Sequence, residues 1–191
     1  MGIPGRCEEP ELRWLYDLAL KAPPGLPMVE LGTFQGRTAA VLCAVAAQVG
    51  LEVITIDNYV QDPCFVGWAW HGGDPGPRKP PEEYAKLTRE NLARLGLMAR
   101  VVIGDSATVP TGVGEIGLLF IDSEHNAERF NAECDAWLPL MAKGGILACH
   151  DYQQPIWPTM TPAIDERIRL RTEEWEYLGL TMWLVGFKKK G

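Results

Sequence analysis

Five short apolar or β-branched runs each end in, or just before, a carboxylate. Glu30 lies in Met28–Leu31, Asp57 closes the run 52–57, Asp105 follows 99–103, Asp122 closes 116–122 and Asp151 follows 146–150. Gly32-Thr33-Phe34-Gln35-Gly36, Asn58, Ser106, His125 and His150 stand beside them. Five acids at consecutive strand ends are more than composition alone predicts. In open α/β sheets ligands bind beyond the carboxyl ends of the strands, so these positions form one candidate site. Gly32 and Gly36 would let backbone approach a ligand without Cβ interference. The turn reads Gly-x-x-x-Gly, so the Gly-x-Gly-x-x-Gly pattern of dinucleotide binding fails. Glu30 would repel a pyrophosphate and suits a cationic ligand. Asp57 stands where an acid binds both ribose hydroxyls. The plain structural alternative is a strand–glycine–helix turn followed by a strand-end Asp.

A second group concerns reaction chemistry. Asp122 and the pair His150-Asp151 close neighbouring strands, and two carboxylates in one pocket resist joint ionisation without a cation or proton between them. Oxygen ligands plus one imidazole suit a divalent ion, Mg²⁺ or Mn²⁺, and the imidazole tilts the choice away from a purely Mg²⁺ site.

The elements that must hold these residues follow from periodicity. Leu12, Leu15, Leu18 and Leu20 predict a leading helix over 11–21, inside a lead-in of residues 1–24. Strands are expected at 28–31, 52–57, 99–103, 116–122 and 146–149, with Lys143-Gly144-Gly145 as the turn into the last. Helices are expected over 38–49, from Pro81 to Gly96 on a stripe of Tyr84, Leu87, Leu92 and Leu95, and over a stretch presenting Phe130, Cys134, Trp137, Leu138 and Met141. A further helix near 161–170 precedes strands at 175–178 and 182–187, joined by Gly179-Leu180-Thr181, too short for a parallel crossover. Alternating strands and helices imply a doubly wound, mostly parallel sheet. Residues 60–80, dense in Gly and Pro, form an irregular insertion, and such loops carry function or mobility.

The whole 191-residue chain suits one domain. Its formal charge of -7 argues against a duplex-DNA partner, and no apolar run nears the roughly 20 residues of a membrane helix. Five cysteines without CxxC spacing fit a reducing cytoplasm. Tyr59, Trp68, Trp70, Tyr152 and Trp157 read equally as pocket walls, a satellite core or a self-association surface. His71 reads as solvent-facing.

VELGTFQGRTAAVL (29–42), VITIDNY (53–59), VVIGDSA (101–107), LLFIDSEHNAERFNAECDAWLPLMAKGGILACHDY (118–152) and PAIDE (162–166) together resemble class I S-adenosylmethionine-dependent methyltransferases. The group most similar is methyltransferase family 24, with its macrocin and rhamnosyl O-methyltransferase and cephalosporin hydroxylase-like relatives. The resemblance spans roughly 25–188. It implies a Rossmann-like seven-stranded sheet with the last strand antiparallel. It also implies that Glu30, Gly32, Thr33, Phe34 and Gly36 hold the methionine and sugar side of S-adenosyl-L-methionine. Thr38 would meet the amino-acid carboxylate, Asp57 the ribose hydroxyls, and Asp105 and Ser106 the adenine, with Asn58 a further cofactor contact.

The pattern is similar also to catechol-type O-methyltransferases, whose strand-end groups at the places of Asp122, His150 and Asp151 hold Mg²⁺. His150 departs from that pattern, which has an acid there. His125 takes the place of the catechol type's general-base lysine, and an imidazole titrates near neutrality. The expectation is therefore methyl transfer to a small-molecule or sugar hydroxyl, with Asp122 and His125 catalytic. A catalytically silent cofactor-binding or regulatory protein, an NAD-dependent oxidoreductase and an iron oxygenase stay open as alternatives.

Overall fold

The computed structural model describes residues 2–60 and 79–191, so most of the 60–80 insertion, with Cys64, Trp68, Trp70 and His71, lies outside the described residues. The described chain forms a seven-stranded sheet in the order β3-β2-β1-β4-β5-β7-β6. Its strands are β1 (Met28–Leu31), β2 (Val53–Asp57), β3 (Arg100–Ile103), β4 (Ile116–Ile121), β5 (Met141–Cys149), β6 (Trp175–Thr181) and β7 (Leu184–Lys189). β7 runs antiparallel to both neighbours, and the other pairings are parallel. The strand order reverses between β1 and β4. That crevice is where an open α/β sheet receives ligands.

Among the described residues five α-helices cover the sheet: α1 (Glu9–Ala19), α2 (Arg37–Val49), α3 (Pro81–Arg94), α4 (Ala127–Trp137) and α5 (Met160–Ile164). One layer joins Leu15 and Leu18 of α1, the alanine-rich face of α2 and Leu92 of α3 to Met28, Leu118, Phe120 and Ile146. The other joins Phe130, Cys134 and Trp137 of α4 and Ile164 of α5 to Val29, Leu31, Ile54, Leu119 and Leu147. Alternate residues of each strand thus serve opposite layers, and both are dry, as a parallel sheet requires.

Local chemistry sets the helix ends. α1 begins two residues before the sequence-based start, because Pro10 fits the first turn and Glu11 accepts a hydrogen bond from the Glu8 backbone N–H at 2.8 Å. α2 is bracketed by Gly36 at φ 87° and Gly50 at φ 69°, both left-handed. α3 buries Tyr84, Ala85, Thr88, Asn91 and Leu92, whereas Leu95 is exposed.

Three further boundaries differ from expectation. The closing hairpin turns at Met182-Trp183, because Leu180 and Thr181 still pair with Val185 and Leu184. Gly179 instead lies inside β6 at a register shift, where a Cβ would sit 3.3 Å from the Trp14 indole. β5 starts at Met141, with Gly144 absorbing an irregularity rather than making a turn. α5 passes at Asp165 into one π-helical turn ending at Arg169. Cys7, Cys43, Cys134 and Cys149 are buried free thiols. Among the described residues no helix is long and apolar enough to cross a membrane.

Candidate functional site

The β1–α2 turn brings the first group together. Gly32 continues the ladder by donating to the Ile56 carbonyl at 2.9 Å, and Asp122 N–H donates to the Leu31 carbonyl at 2.8 Å. A Cβ on Gly32 would stand 2.0 Å from the Asp122 carbonyl oxygen, so the two strand ends touch only because residue 32 has none. Phe34 (φ 50°), Tyr59 (φ 54°) and Asp151 (φ 61°) are left-handed without being glycine, each just past a strand's carboxyl end. Strain of this kind, about 1–3 kcal/mol per residue, concentrates at functional sites.

Glu30 is completely buried and neither carboxylate oxygen has a hydrogen-bond partner. The hydroxyls of Thr33 and of Thr55, its register partner on β2, are also buried and unpartnered. Burial holds the Glu30 carboxyl well above its ordinary range, with Asp122 and Asp57 adding to the effect and Thr38 and Thr33 opposing it. An unsatisfied acid in an apolar layer is costly unless a cation or donor completes it. The donor set therefore fits a cationic ligand at the turn, as expected for S-adenosylmethionine.

Asp57 is organised from the backbone. One carboxylate oxygen accepts from the N–H groups of Thr33 (2.8 Å) and Phe34 (2.7 Å), and the other from Tyr59 (2.6 Å). Burial raises its pKa against the pull of these donors. Asp57 thus staples the glycine turn to the end of β2. Asn58 turns to its own loop, accepting from Val60 N–H at 2.8 Å. Phe34 is partly exposed, its ring 6.4 Å from Tyr84, and Tyr84 stacks on Tyr59 at 6.0 Å. Tyr59 is therefore a core residue, with its hydroxyl on Thr88.

Asp105 and Ser106 sit in a separate network. Arg129 of α4 pairs with Asp105 and reaches the Ser106 hydroxyl, which bonds in turn to the buried Glu133. Burial raises the Glu133 carboxyl, against the Ser106 and Ser123 hydroxyls and Arg129. Trp137 donates its indole N–H to the Ser106 carbonyl at 2.7 Å. Arg129 and Glu133 were not singled out from the sequence, although their i, i+4 spacing on an amphipathic stretch was visible.

The reaction group converges as expected and gains members. His150 Nδ1 lies 3.3 Å from both Asp122 Oδ1 and Asp151 Oδ1, while Nε2 lies 3.1 Å from Glu11 Oε1 of α1. Burial works against charge on this ring, yet the facing carboxylates, Asp122 first, outweigh it and hold its pKa well above the usual histidine value. Burial likewise disfavours charge on Asp151, and the hydrogen bond with His150 together with the nearby His150, His125 and Arg6 charges more than reverses that, leaving it below the ordinary carboxylate range. His125 Nδ1 lies 3.5 Å from Asp151 Oδ2, and Trp157 meets its ring edge-on at 4.6 Å. One ligand atom each from Asp122, His125 and Asp151 fall within 4.8 Å of one another. His150 Nδ1 already faces the two aspartates, so on this side of the ring the donors compactly placed for a cation are Asp122, His125 and Asp151 rather than the set Asp122, His150 and Asp151. Glu11 is the residue sequence reading passed over, being one of many acids in a helix's first turn. Tyr152 is core, its hydroxyl on Asp165 at 2.8 Å.

A sheet of this order with acids at its switch point and a cation-suited glycine turn defines the class I methyltransferase architecture. The chain belongs to methyltransferase family 24: the sequence profile of its methyltransferase domain matches residues 29–152. Solved structures of the same fold include CalS11, a calicheamicin methyltransferase, with TM-score 0.64 at 18% identity over 93% of this chain and 76% of that one. The O-methyltransferase NovP superposes with TM-score 0.68 at 18% identity, over 94% of this chain and 79% of its own. SMU.1697c from Streptococcus mutans, in complex with SAH, aligns with TM-score 0.63 at 15% identity, over 96% of this chain and 99% of that one.

Proposed function

We propose that this chain transfers the methyl group of S-adenosylmethionine to a hydroxyl oxygen of a small molecule, with His125 as general base. The observation that carries the reading is the His125–Asp151 pair beside Asp122 at the ends of β4 and β5, next to a glycine turn over the unsatisfied Glu30. The cofactor supplies a methyl already made electrophilic by sulfonium. The protein's tasks are then alignment and proton removal.

Glu30, with Gly32, Thr33 and Gly36, forms an electronegative cradle suited to the cationic side of the cofactor. Asp57, fixed by three backbone donors, keeps oxygen lone pairs for the ribose hydroxyls. Thr38 lies buried at the start of α2 beside Glu30. Asp105 and Ser106, held by Arg129 and Glu133, edge the adenine side. At the acceptor side Asp151 lies beside His125 Nδ1, and the His125 imidazole would take the hydroxyl proton as methyl transfer proceeds. Trp157 fixes the ring from the other flank. The acidic balance of the chain favours a small acceptor over a nucleic acid.

A metal-assisted version is favoured by one observation, the compact set Asp122, His125 and Asp151. There a divalent ion, Mg²⁺ or Mn²⁺, would polarise the acceptor oxygen and His125 would be a ligand rather than a base. Turnover of a sugar and phenol panel, with and without chelation, separates the two. Chelation abolishes the metal-assisted reaction and spares the base-catalysed one, whose pH profile then shows a single ionisation lost in His125→Ala. Binding of S-adenosylhomocysteine without turnover on any acceptor would instead mark a silent cofactor-binding protein. Binding of NADH in its place would sink the methyltransferase reading.

A further inference from the structure

Cys7 and Glu11, from the segment before the family domain, form a second, buried donor cluster on the opposite edge of His150 from the reaction group. One ligand atom each of Cys7, Glu11 and His150 fall within 4.8 Å of one another, and Glu11 Oε1 stands 3.1 Å from His150 Nε2. Cys7 and His150 are 3% and 6% exposed and Glu11 1%. On the far side of the ring, Nδ1 faces the carboxylates of Asp122 and Asp151, each at 3.3 Å. A histidine whose Nδ1–H is held by carboxylate while Nε2 points at a thiol and a second carboxylate has the arrangement of a metal-ligating imidazole with its supporting shell. If Nδ1 carries the proton, Nε2 and Glu11 Oε1 are two acceptors facing each other. In the metal-free chain the ring's second proton joins them, and Glu11 Oε1 also accepts from the Trp183 N–H at 3.1 Å; that ring proton is what a metal ion would replace.

We propose that Cys7 Sγ, Glu11 Oε1 and His150 Nε2 bind one zinc ion that pins the N-terminal segment to the end of β5. Sulfur, nitrogen and oxygen donors at this spacing suit tetrahedral Zn²⁺. The Cys7 thiol donates to Asp122 Oδ2 at 3.9 Å, a contact that thiolate ligation would give up. Binding replaces two protons, one from the Cys7 thiol and one from the His150 ring, by one dication, so the net charge of the buried cluster does not change. The ion fixes which way His150 presents Nδ1. It thereby positions Asp122 and Asp151 at the reaction group without touching substrate.

The test uses the full chain, stripped by chelator and titrated with Co²⁺ as a spectroscopic substitute, with zinc for stability. The expected result is one equivalent of Co²⁺ giving sulfur-to-cobalt charge-transfer absorption together with tetrahedral visible bands. Zinc raises the melting temperature. His125→Ala, which removes a donor of the other group, retains both effects, and Cys7→Ser loses the charge-transfer band. Absence of that band in the wild type, or its persistence in Cys7→Ser, overturns the proposal. Should Cys7→Ser fail to fold, zinc-edge X-ray absorption of the wild type decides. One sulfur at about 2.3 Å with nitrogen and oxygen at about 2.0–2.2 Å supports the site. A shell of nitrogen and oxygen alone places the metal elsewhere and refutes it. The result is independent of methyl transfer, because no readout depends on turnover.

Discussion

At the scale of single residues, this protein places acids where water cannot reach them and leaves one of them unsatisfied. Glu30 has a folded pKa above its ordinary value of 4.5, so the folded state holds its proton more tightly than the unfolded chain. Its contribution to stability is therefore greatest below pH 4.5 and declines as pH rises toward the raised value. Glu30→Gln removes that decline. Thermal melts across acidic to neutral pH should show the variant gaining on the wild type as pH increases, while its affinity for S-adenosylhomocysteine falls. Asp57 presents the opposite case, a carboxylate held by three backbone donors. Asp57→Ala strands the N–H groups of Thr33, Phe34 and Tyr59. Each stranded buried donor costs about 1–3 kcal/mol unless water replaces the oxygen, so denaturant unfolding should report a loss of roughly 2–4 kcal/mol.

At the scale of elements, the site depends on strand ends being allowed to touch and on α1 lying across the sheet. Gly32 is the contact point. In Gly32→Ala a methyl would meet the Asp122 carbonyl and the backbone would be strained at φ 88°. A loss of more than about 3 kcal/mol, or no soluble protein, is expected in expression and unfolding assays. α1 is held by Leu15 and Leu18, both inaccessible to solvent, and Leu18 fits over Gly186 of β7, where a Cβ would lie 2.8 Å from its side chain. Leu15→Ala should cost about 2–5 kcal/mol by cavity formation in urea unfolding. Because Glu11 sits on the same helix, loosening α1 should also perturb His150, seen as a shift of its imidazole NMR resonances.

For the whole molecule, a sheet covered by helices on both faces carries ligand groups drawn from β1, β2, β4 and β5. A ligand that fills the cradle adds stability by mass action. At one hundred times its dissociation constant S-adenosylhomocysteine should add about 2.7 kcal/mol. For a chain of this length that is a melting shift of roughly 5–10 °C, read by calorimetry. NADH at the same concentration should give none. A chain that melts identically with and without the nucleoside does not use this crevice for it.

The order of strands and helices was readable from the sequence because apolar periodicity and Gly-Pro punctuation act over a few residues. The glycine turn and the acids at the strand ends were readable for the same reason. Strand ends were misread wherever a partner strand overrode local propensity: at Gly179, which a turn did not claim, and at Lys143-Gly144-Gly145, absorbed into β5. Chemistry spread over distant segments was decided only by folding. Nothing local in Glu11 marks it as the partner of a histidine 139 positions later. Nothing in His125 or His150 says which imidazole lies between Asp151 and Trp157 and which is enclosed by three acids. Side-chain type and spacing prescribe what a residue can do. Packing of α1 against the sheet determines which groups are near enough, and dry enough, to do it together.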